Sequence, residues 1–246
     1  MASKSRQLIA SLSSRIRGVI FDMDGTLTRP GAIDFARMRE RCGIKPGGDI
    51  IEFVNNQSEP LRSKLNEILI EEEEFGLKRM ELMPDIKQLF DYLIENNINR
   101  ALLTRNNDTI MNRTVELMNY AKQEPFSVML SRTFSPPKPH PDAIHHICQR
   151  WKLNVNEVLM VGDSLDDIKA GAAAGTKTVL IGLEDNHLYQ QALPHADFVI
   201  KNLFELINVI ENINNNAPES HSSTTTAETI IVQSEEENKP SIENRS

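Results

Sequence analysis

The sequence predicts an α/β chain: a parallel sheet with helices on both faces, interrupted after its first strand by a small all-helical segment. Three observations carry this. Short apolar runs alternate with stretches of helical period, the pattern of strands joined by crossover helices. Three of those runs, 19–21, 98–104 and 158–161, stop at a polar or acidic residue: Asp22, Thr104 and Asp163. Residues 31–81 show helical spacing and turns but no convincing strand.

The elements follow in order. Val19, Ile20 and Phe21 form a buried strand that ends abruptly in Asp22-Met23-Asp24-Gly25-Thr26. After the break at Arg29-Pro30-Gly31, apolar residues from Ile33 to Met38 lead to a stop at Gly43, and Pro46-Gly47-Gly48 is a second break. Ile50, Ile51, Phe53 and Val54 make a short apolar turn. Leu61, Leu65, Ile68 and Leu69 recur at helical spacing behind Pro60, a residue that suits a helix start. Glu71 to Glu74 reads as a solvated surface run with no ligand role. Ile86, Leu89, Phe90, Leu93 and Ile94 share a helical face, and a strand over 98–104 follows. A helix from Asp108 to about Tyr120 and a strand over 126–130 come next. The prolines of Ser135-Pro136-Pro137-Lys138-Pro139-His140-Pro141 cannot pair in a sheet, so this is a rigid loop. Pro141 opens a helix through Ile144, Ile147 and Trp151. The strand over 158–161 ends in Gly162-Asp163-Ser164, and an Ala-rich helix over 165–174 stops at Gly175. Strands over 178–181 and 197–200 and a helix over 203–213 close the pattern. Parallel strands end on one edge, so Asp22, Thr104 and Asp163 converge where such a sheet keeps its ligand crevice.

The chain of 246 residues divides into a basic N-terminal arm over 1–16, a core over 17–30 and 82–213, the helical segment over 31–81, and a polar, acidic tail over 214–246. The net charge of −8 gives no reason to expect nucleic-acid binding, which shows a basic patch or stripe. No run approaches the ~20 apolar residues of a membrane helix. Two cysteines, Cys42 and Cys148, form no metal or disulfide pattern and fit a reducing compartment. The first 17 residues carry Lys4, Arg6, Arg15 and Arg17, and Leu8, Ile9, Leu12 and Ile16 could share one helical face. That makes the cytoplasm the expected location, with a mitochondrial transit peptide as the alternative. The tail has too little apolar surface to order, and its island from Thr229 to Val232 is a candidate docking motif for a weak protein partner.

Asp22 and Asp24 repel one another, so a site that keeps both ionised needs a cation beside them. Oxygen donors favour Mg²⁺, which one or two carboxylates hold while substrate phosphate completes the shell. Asp22-Met23-Asp24-Gly25-Thr26 resembles the signature of the haloacid dehalogenase superfamily, in the branch of phosphoglycolate phosphatase and β-phosphoglucomutase. Thr104, Lys138 in Lys138-Pro139-His140-Pro141-Asp142, and Gly162-Asp163-Ser164-Leu165-Asp166-Asp167 follow in the order that superfamily uses. The resemblance covers roughly 17–200 and implies a Rossmann-like core with a small helical cap over 31–81.

It also implies roles. Asp22 is the expected nucleophile, forming an aspartyl-phosphate, and Asp24 the acid/base. Thr104 and Lys138 contact the phosphoryl group, with Arg105 and Asn106 as further candidates for substrate binding. Mg²⁺ is held by Asp22, the Asp24 carbonyl and Asp163. Asp163 or Asp167 would pair with Lys138 and hold its ammonium in place; Asp167 looks like the second acid of the fourth motif, behind the metal ligands, with Asp166 as the competing candidate. Many relatives place a small polar residue after the Thr; here Arg105 precedes Asn106. An Asp at position 24 matches phosphatases and phosphomutases and not the dehalogenase or phosphonatase branches. The basic face of Arg37 and Arg41 is either a reader of an anionic substrate or simply solvated. His140, His145 and His146 read as structural or exposed, since adjacent histidines on a helix face different ways. The expected activity is Mg²⁺-dependent hydrolysis of a small phosphorylated metabolite, phosphoglycolate-like or a sugar phosphate. The alternatives are a phosphomutase of the β-phosphoglucomutase type and a non-enzymatic regulatory protein that works through its tail.

Overall fold

The structure is a computed structural model and describes residues 14–120, 124–182 and 187–217. The expectations for residues 1–13 of the arm and for the tail from 218 onward lie outside the described residues. Within them the elements run β1 (Gly18–Phe21), α1 (Phe35–Arg41), α2 (Ile50–Asn55), α3 (Leu61–Leu77), α4 (Ile86–Glu95), β2 (Asn99–Leu103), α5 (Asp108–Met118) and β3 (Val128–Leu130). Then come α6 (Asp142–Trp151), β4 (Val158–Gly162), α7 (Leu165–Ala174), β5 (Lys177–Ile181), α8 (His187–Ala192), β6 (Phe198–Ile200) and α9 (Glu205–Asn216).

The six strands form one parallel sheet in the order β3-β2-β1-β4-β5-β6. The order reverses between β1 and β4, which places a topological switch point there. Phe21 lies opposite Leu102 on one side and Val161 on the other, so these three strands end at one level. Alternate residues separate the two faces, as the pleat requires. Val19, Phe21, Leu102, Leu159 and Val161 pack with α4, α5 and α9, where the Phe21 and Phe90 rings stack at 5.4 Å. Ile20, Ala101, Leu103, Val158 and Met160 pack with α6 and α7. Both faces are covered, which is why the central strands read as continuous apolar runs.

Residues 31–81 are helical, as expected, and joined to the core by two segments that pair with each other. The Arg29 amide donates to the Glu81 carbonyl at 2.8 Å and the Met83 amide to the Leu27 carbonyl at 2.9 Å, around an antiparallel bridge between Thr28 and Leu82. The apolar residues of this insertion, among them Ile33, Met38, Val54, Leu65 and Leu69, belong to the same buried cluster as Phe21 and Leu102.

The glutamate run on α3 corrects the surface reading. Glu72 is 2% exposed and Glu73 5%. The buried stripe of α3 is Leu65, Leu69, Glu72, Glu73 and Gly76, spaced for one helix face, so the run crosses the inward side. Gly76 lets that face approach closely, since a Cβ there would lie 2.7 Å from the Ile33 side chain. Glu72 is compensated by Arg37 at 3.1 Å and Arg41 at 2.8 Å, so this basic pair is neither free for substrate nor merely solvated.

Candidate active site

Asp22 directly follows β1, and its amide extends the ladder one step by donating to the Val161 carbonyl at 2.9 Å. That fixes its side chain at the switch point between β1 and β4. Lys138 arrives from the Pro-rich loop and is 4% exposed. Its Nζ donates to Asp22 Oδ1 at 2.5 Å and to the Leu103 carbonyl at 2.9 Å, and lies 2.6 Å from Asp167 Oδ1. A lysine stem this deep needs such partners, because a buried unpaired ammonium is strongly disfavoured.

Asp167 is fixed by a capping box at the start of α7: its Oδ2 accepts from the Ser164 amide at 3.2 Å and hydroxyl at 2.6 Å. Ser164 is thus the cap, and Asp163 is left for other work. Two glycines make room for these acids. A Cβ on Gly25, whose φ is +73°, would sit 2.1 Å from Asp163 Oδ2, and one on Gly162 would sit 2.3 Å from Asp167 Cβ.

Thr104 caps no helix; Asn107 does, accepting from the Ile110 amide at 2.9 Å. The Thr104 hydroxyl accepts from the Asn106 amide at 3.1 Å and the Asn106 side chain at 3.2 Å, which leaves its own proton to donate. The two residues after it, the expected further substrate contacts, have partners within the chain. Asn106 is buried, and its side-chain amide bonds the Asp24 carboxylate. Arg105 bridges Asp49 of the insertion and Asp166 on α7, the latter at 3.1 Å. Its charge is already matched by two carboxylates, so substrate contact would have to displace one. Of the histidines, His140 pairs with Asp142, His145 lies 3.2 Å from the Ala174 carbonyl and His146 packs against the Phe134 ring.

The electrostatics are lopsided. Burial first, then Asp167, push the Asp22 carboxyl up to about 7 against the pull of Lys138. Burial, Asp22 and Asp167 push Asp163 up to about 8. Burial also raises Asp24, with the Asn106 bond opposing it. Burial would lower Lys138, but Asp167 and Asp22 override it and hold the ammonium charged. Oxygens of Asp22, Asp163 and Asp167 lie within 4.8 Å of one another. An all-oxygen donor set with excess negative charge fits a hard divalent cation such as Mg²⁺. The Asp24 carboxylate is not in that trio, which agrees with its engagement by Asn106.

The partners of Glu73, Asp49 and Asn106 are the part sequence reasoning missed. The i, i+3, i+4 continuation of Leu65 and Leu69 into Glu72 and Glu73 was the available signal for the buried glutamates. Nothing local marks the pairing of Asp49 with Arg105 or of Asn106 with Asp24, whose partners lie 56 and 82 residues apart.

Similarity to known proteins points to one family. A family model described as haloacid dehalogenase-like hydrolase matches residues 16–175. A haloacid dehalogenase-like hydrolase domain-containing protein of Arabidopsis thaliana is 35% identical over 222 residues, covering 83% of this chain and 87% of that protein. A phosphoglycolate phosphatase of Vibrio parahaemolyticus is 29% identical over 220 residues, covering 79% of this chain and 96% of that protein. Among solved structures, CbbY of Rhodobacter sphaeroides in complex with phosphate superposes with a TM-score of 0.60 at 19% identity, covering 78% of this chain and 96% of that one. This last likeness concerns the fold. Among the described residues no helix is long and apolar enough to cross a membrane.

Proposed function

The chain belongs to the haloacid dehalogenase-like hydrolases, and from that premise we propose that it is a Mg²⁺-dependent phosphomonoesterase acting on a small phosphorylated metabolite through an aspartyl-phosphate on Asp22. The observation that carries the reading is the Asp22–Lys138 pair at the switch point, with Asp163 alongside and Asp24 tethered by Asn106. Nucleophile, fixed cation, metal donors and acid/base thus share one crevice. The phosphoglycolate phosphatase relative supports a small substrate. Residues 31–81 serve as the cap over 17–30 and 82–213. Two free, buried cysteines suit the cytoplasm.

Asp22, Asp163 and the Asp24 carbonyl would hold Mg²⁺, which when bound offsets negative charge on the phosphoryl oxygens. Lys138 fixes the Asp22 carboxylate and adds positive charge where the transferring oxygens gather it. The Thr104 hydroxyl donates to one of those oxygens. An Asp22 oxygen attacks phosphorus in line, the ester P–O bond breaks, and Asp24 gives its proton to the leaving alkoxide. A water then attacks the aspartyl-phosphate while Asp24 takes its proton, releasing phosphate and restoring both carboxyl groups. Asp167 holds Lys138 in place throughout.

The test is phosphate release from a panel of phosphorylated metabolites, phosphoglycolate and sugar phosphates included, with Mg²⁺, with EDTA, and with Asp22→Asn. The expected result is metal-dependent release on one or a few substrates that vanishes in the variant. Mg²⁺ binding without release across the panel would overturn the reading.

A further inference from the structure

The turn that follows Thr104 reaches three places with three consecutive side chains. Arg105 bonds Asp49, the N-cap of α2 in the insertion, and Asp166 on α7. Asn107 caps α5 with its side-chain oxygen and donates from its amide to Glu73 of α3 at 2.5 Å. Between them Asn106 bonds the Asp24 carboxylate and the Thr104 hydroxyl. The Asn106 carbonyl accepts from the Arg132 amide at 2.9 Å, and the Arg132 guanidinium is itself held by Glu73 at 2.6 Å. Asn106 is 5% exposed, so water does not compete for its amide. One side-chain amide therefore orients both a carboxylate and a hydroxyl of the crevice, and the residues on either side of it are gripped from the insertion.

We propose that Asn106 is the positioning residue of Asp24, and that the helical insertion sets it in place through Asp49 on Arg105 and Glu73 on Asn107. This rests on the reading of Asp24 as acid/base given above. A carboxylate on a short side chain has few rotamers, and the hydrogen bonds from Asn106 and Thr28 together decide which oxygen faces the leaving group. Undocking the insertion frees the turn and with it that orientation. The insertion then contributes to catalysis from a distance, without touching the reacting atoms.

The test separates positioning from general damage by leaving group. The expulsion of p-nitrophenolate needs no proton, whereas an alkoxide does. kcat/KM is the readout, because it covers steps up to leaving-group departure and excludes later attack by water. Asn106→Ala keeps the backbone amide that bonds the Thr104 hydroxyl, so in the full chain it should lower kcat/KM for the alkyl phosphate that the panel shows to be hydrolysed by about 10- to 100-fold, the range of a misplaced catalytic group, and for p-nitrophenyl phosphate by less than about 3-fold. The pair Asp49→Asn with Glu73→Met, away from the reacting atoms, should show the same selective loss. Asn still caps a helix and Met fills a similar volume, and urea unfolding of the pair must show that the chain remains folded at the assay temperature. Adding Asn106→Ala to that pair should cost little more, as two changes along one line of contact do not add. Equal losses for both esters, additive losses, or parent-like turnover in the insertion pair would overturn the proposal. If the parent chain hydrolyses neither ester, the phosphatase reading itself fails and the proposal falls with it.

Discussion

Among the described residues acids are buried in two places, and only one of the two clusters is balanced. On the inward face of the insertion, Glu72 and Glu73 meet Arg37, Arg41 and Arg132 at 2.6–3.1 Å. At the edge of the sheet, Asp22, Asp24, Asp163 and Asp167 crowd around the single ammonium of Lys138. A buried charge is costly unless it is paired, so the first cluster holds an element down. The second keeps Asp22 up at about 7 and Asp163 at about 8 until protons or a cation arrive. Burial is common to both. What distinguishes an acid cluster built for structure from one built for chemistry is the number of opposite charges within reach.

The widest gap between the clusters should appear in turnover. Asp22→Asn is expected to lower kcat by about 10⁴-fold or more, since an amide is a poor nucleophile towards phosphorus, and phosphate release reads it directly. Retained activity would remove Asp22 from the centre of the mechanism. Asp24→Asn comes next, with a loss of about 10²–10⁴-fold on alkyl phosphates. A comparable loss in kcat/KM with p-nitrophenyl phosphate would mean that leaving-group protonation is not its main task.

Metal and pH give a third separation. The Asp22 and Asp163 carboxyls stand above their ordinary value of 3.8, so between there and about 7 to 8 the metal-free folded chain holds protons that the unfolded chain has lost. Their contribution to stability is present at low pH and disappears as pH rises through about 7 and about 8. A cation replaces those protons, so the Mg²⁺-induced stabilisation, read as a rise in Tm at one fixed Mg²⁺ concentration, should be small at pH 6 and grow by pH 8.5, towards about 2.7 kcal/mol where that concentration is a hundredfold above Kd. A rise independent of pH would contradict the assignment. The smallest effect sharpens the contrast by its sign. Glu72→Ala should destabilise the chain by about 1.5–3 kcal/mol in urea unfolding, as loss of a buried, charge-assisted set of bonds does. Asp163→Asn should instead raise the Tm of the metal-free chain at pH 8, because it relieves repulsion from Asp22 and Asp167. Destabilisation by both would erase the distinction.

Much of this was legible in the sequence, for physical reasons that differ by element. β1 and β4 are buried on both faces, so their apolar runs are unbroken and end sharply at Asp22 and Asp163. The helix over Leu165–Ala174 shows its own boundaries, Ser164 and Gly175. β3 is shorter than the expected 126–130, because Phe126 packs in the core and Ser127 bonds Arg100 ahead of the ladder proper. The short α8 has no periodicity long enough to see. Four glutamates in a row look alike by composition, and their arginine partners lie 30 or more residues away. Asp22, Asp24, Thr104, Lys138, Asp163 and Asp167 are brought together at one edge, while the grip of Asp49 on Arg105 belongs to tertiary structure alone.

The paired segments at Leu27–Arg29 and Glu81–Met83 carry a consequence for how such a chain can be rebuilt. Entry and exit leave the sheet side by side, so everything between them is, to the core, a loop closed at its base. Loops closed in this way tolerate changes of length at small entropic cost. A segment of another size and sequence could be grafted on the same two stems without disturbing the order of the strands. What the graft would have to bring with it is an apolar face to close the shared core, as Ile33, Leu65 and Leu69 do, and two acids, one for Arg105 and one for Asn107 and Arg132. The interchangeable part of this enzyme is thus defined less by its helices than by where it sets two negative charges.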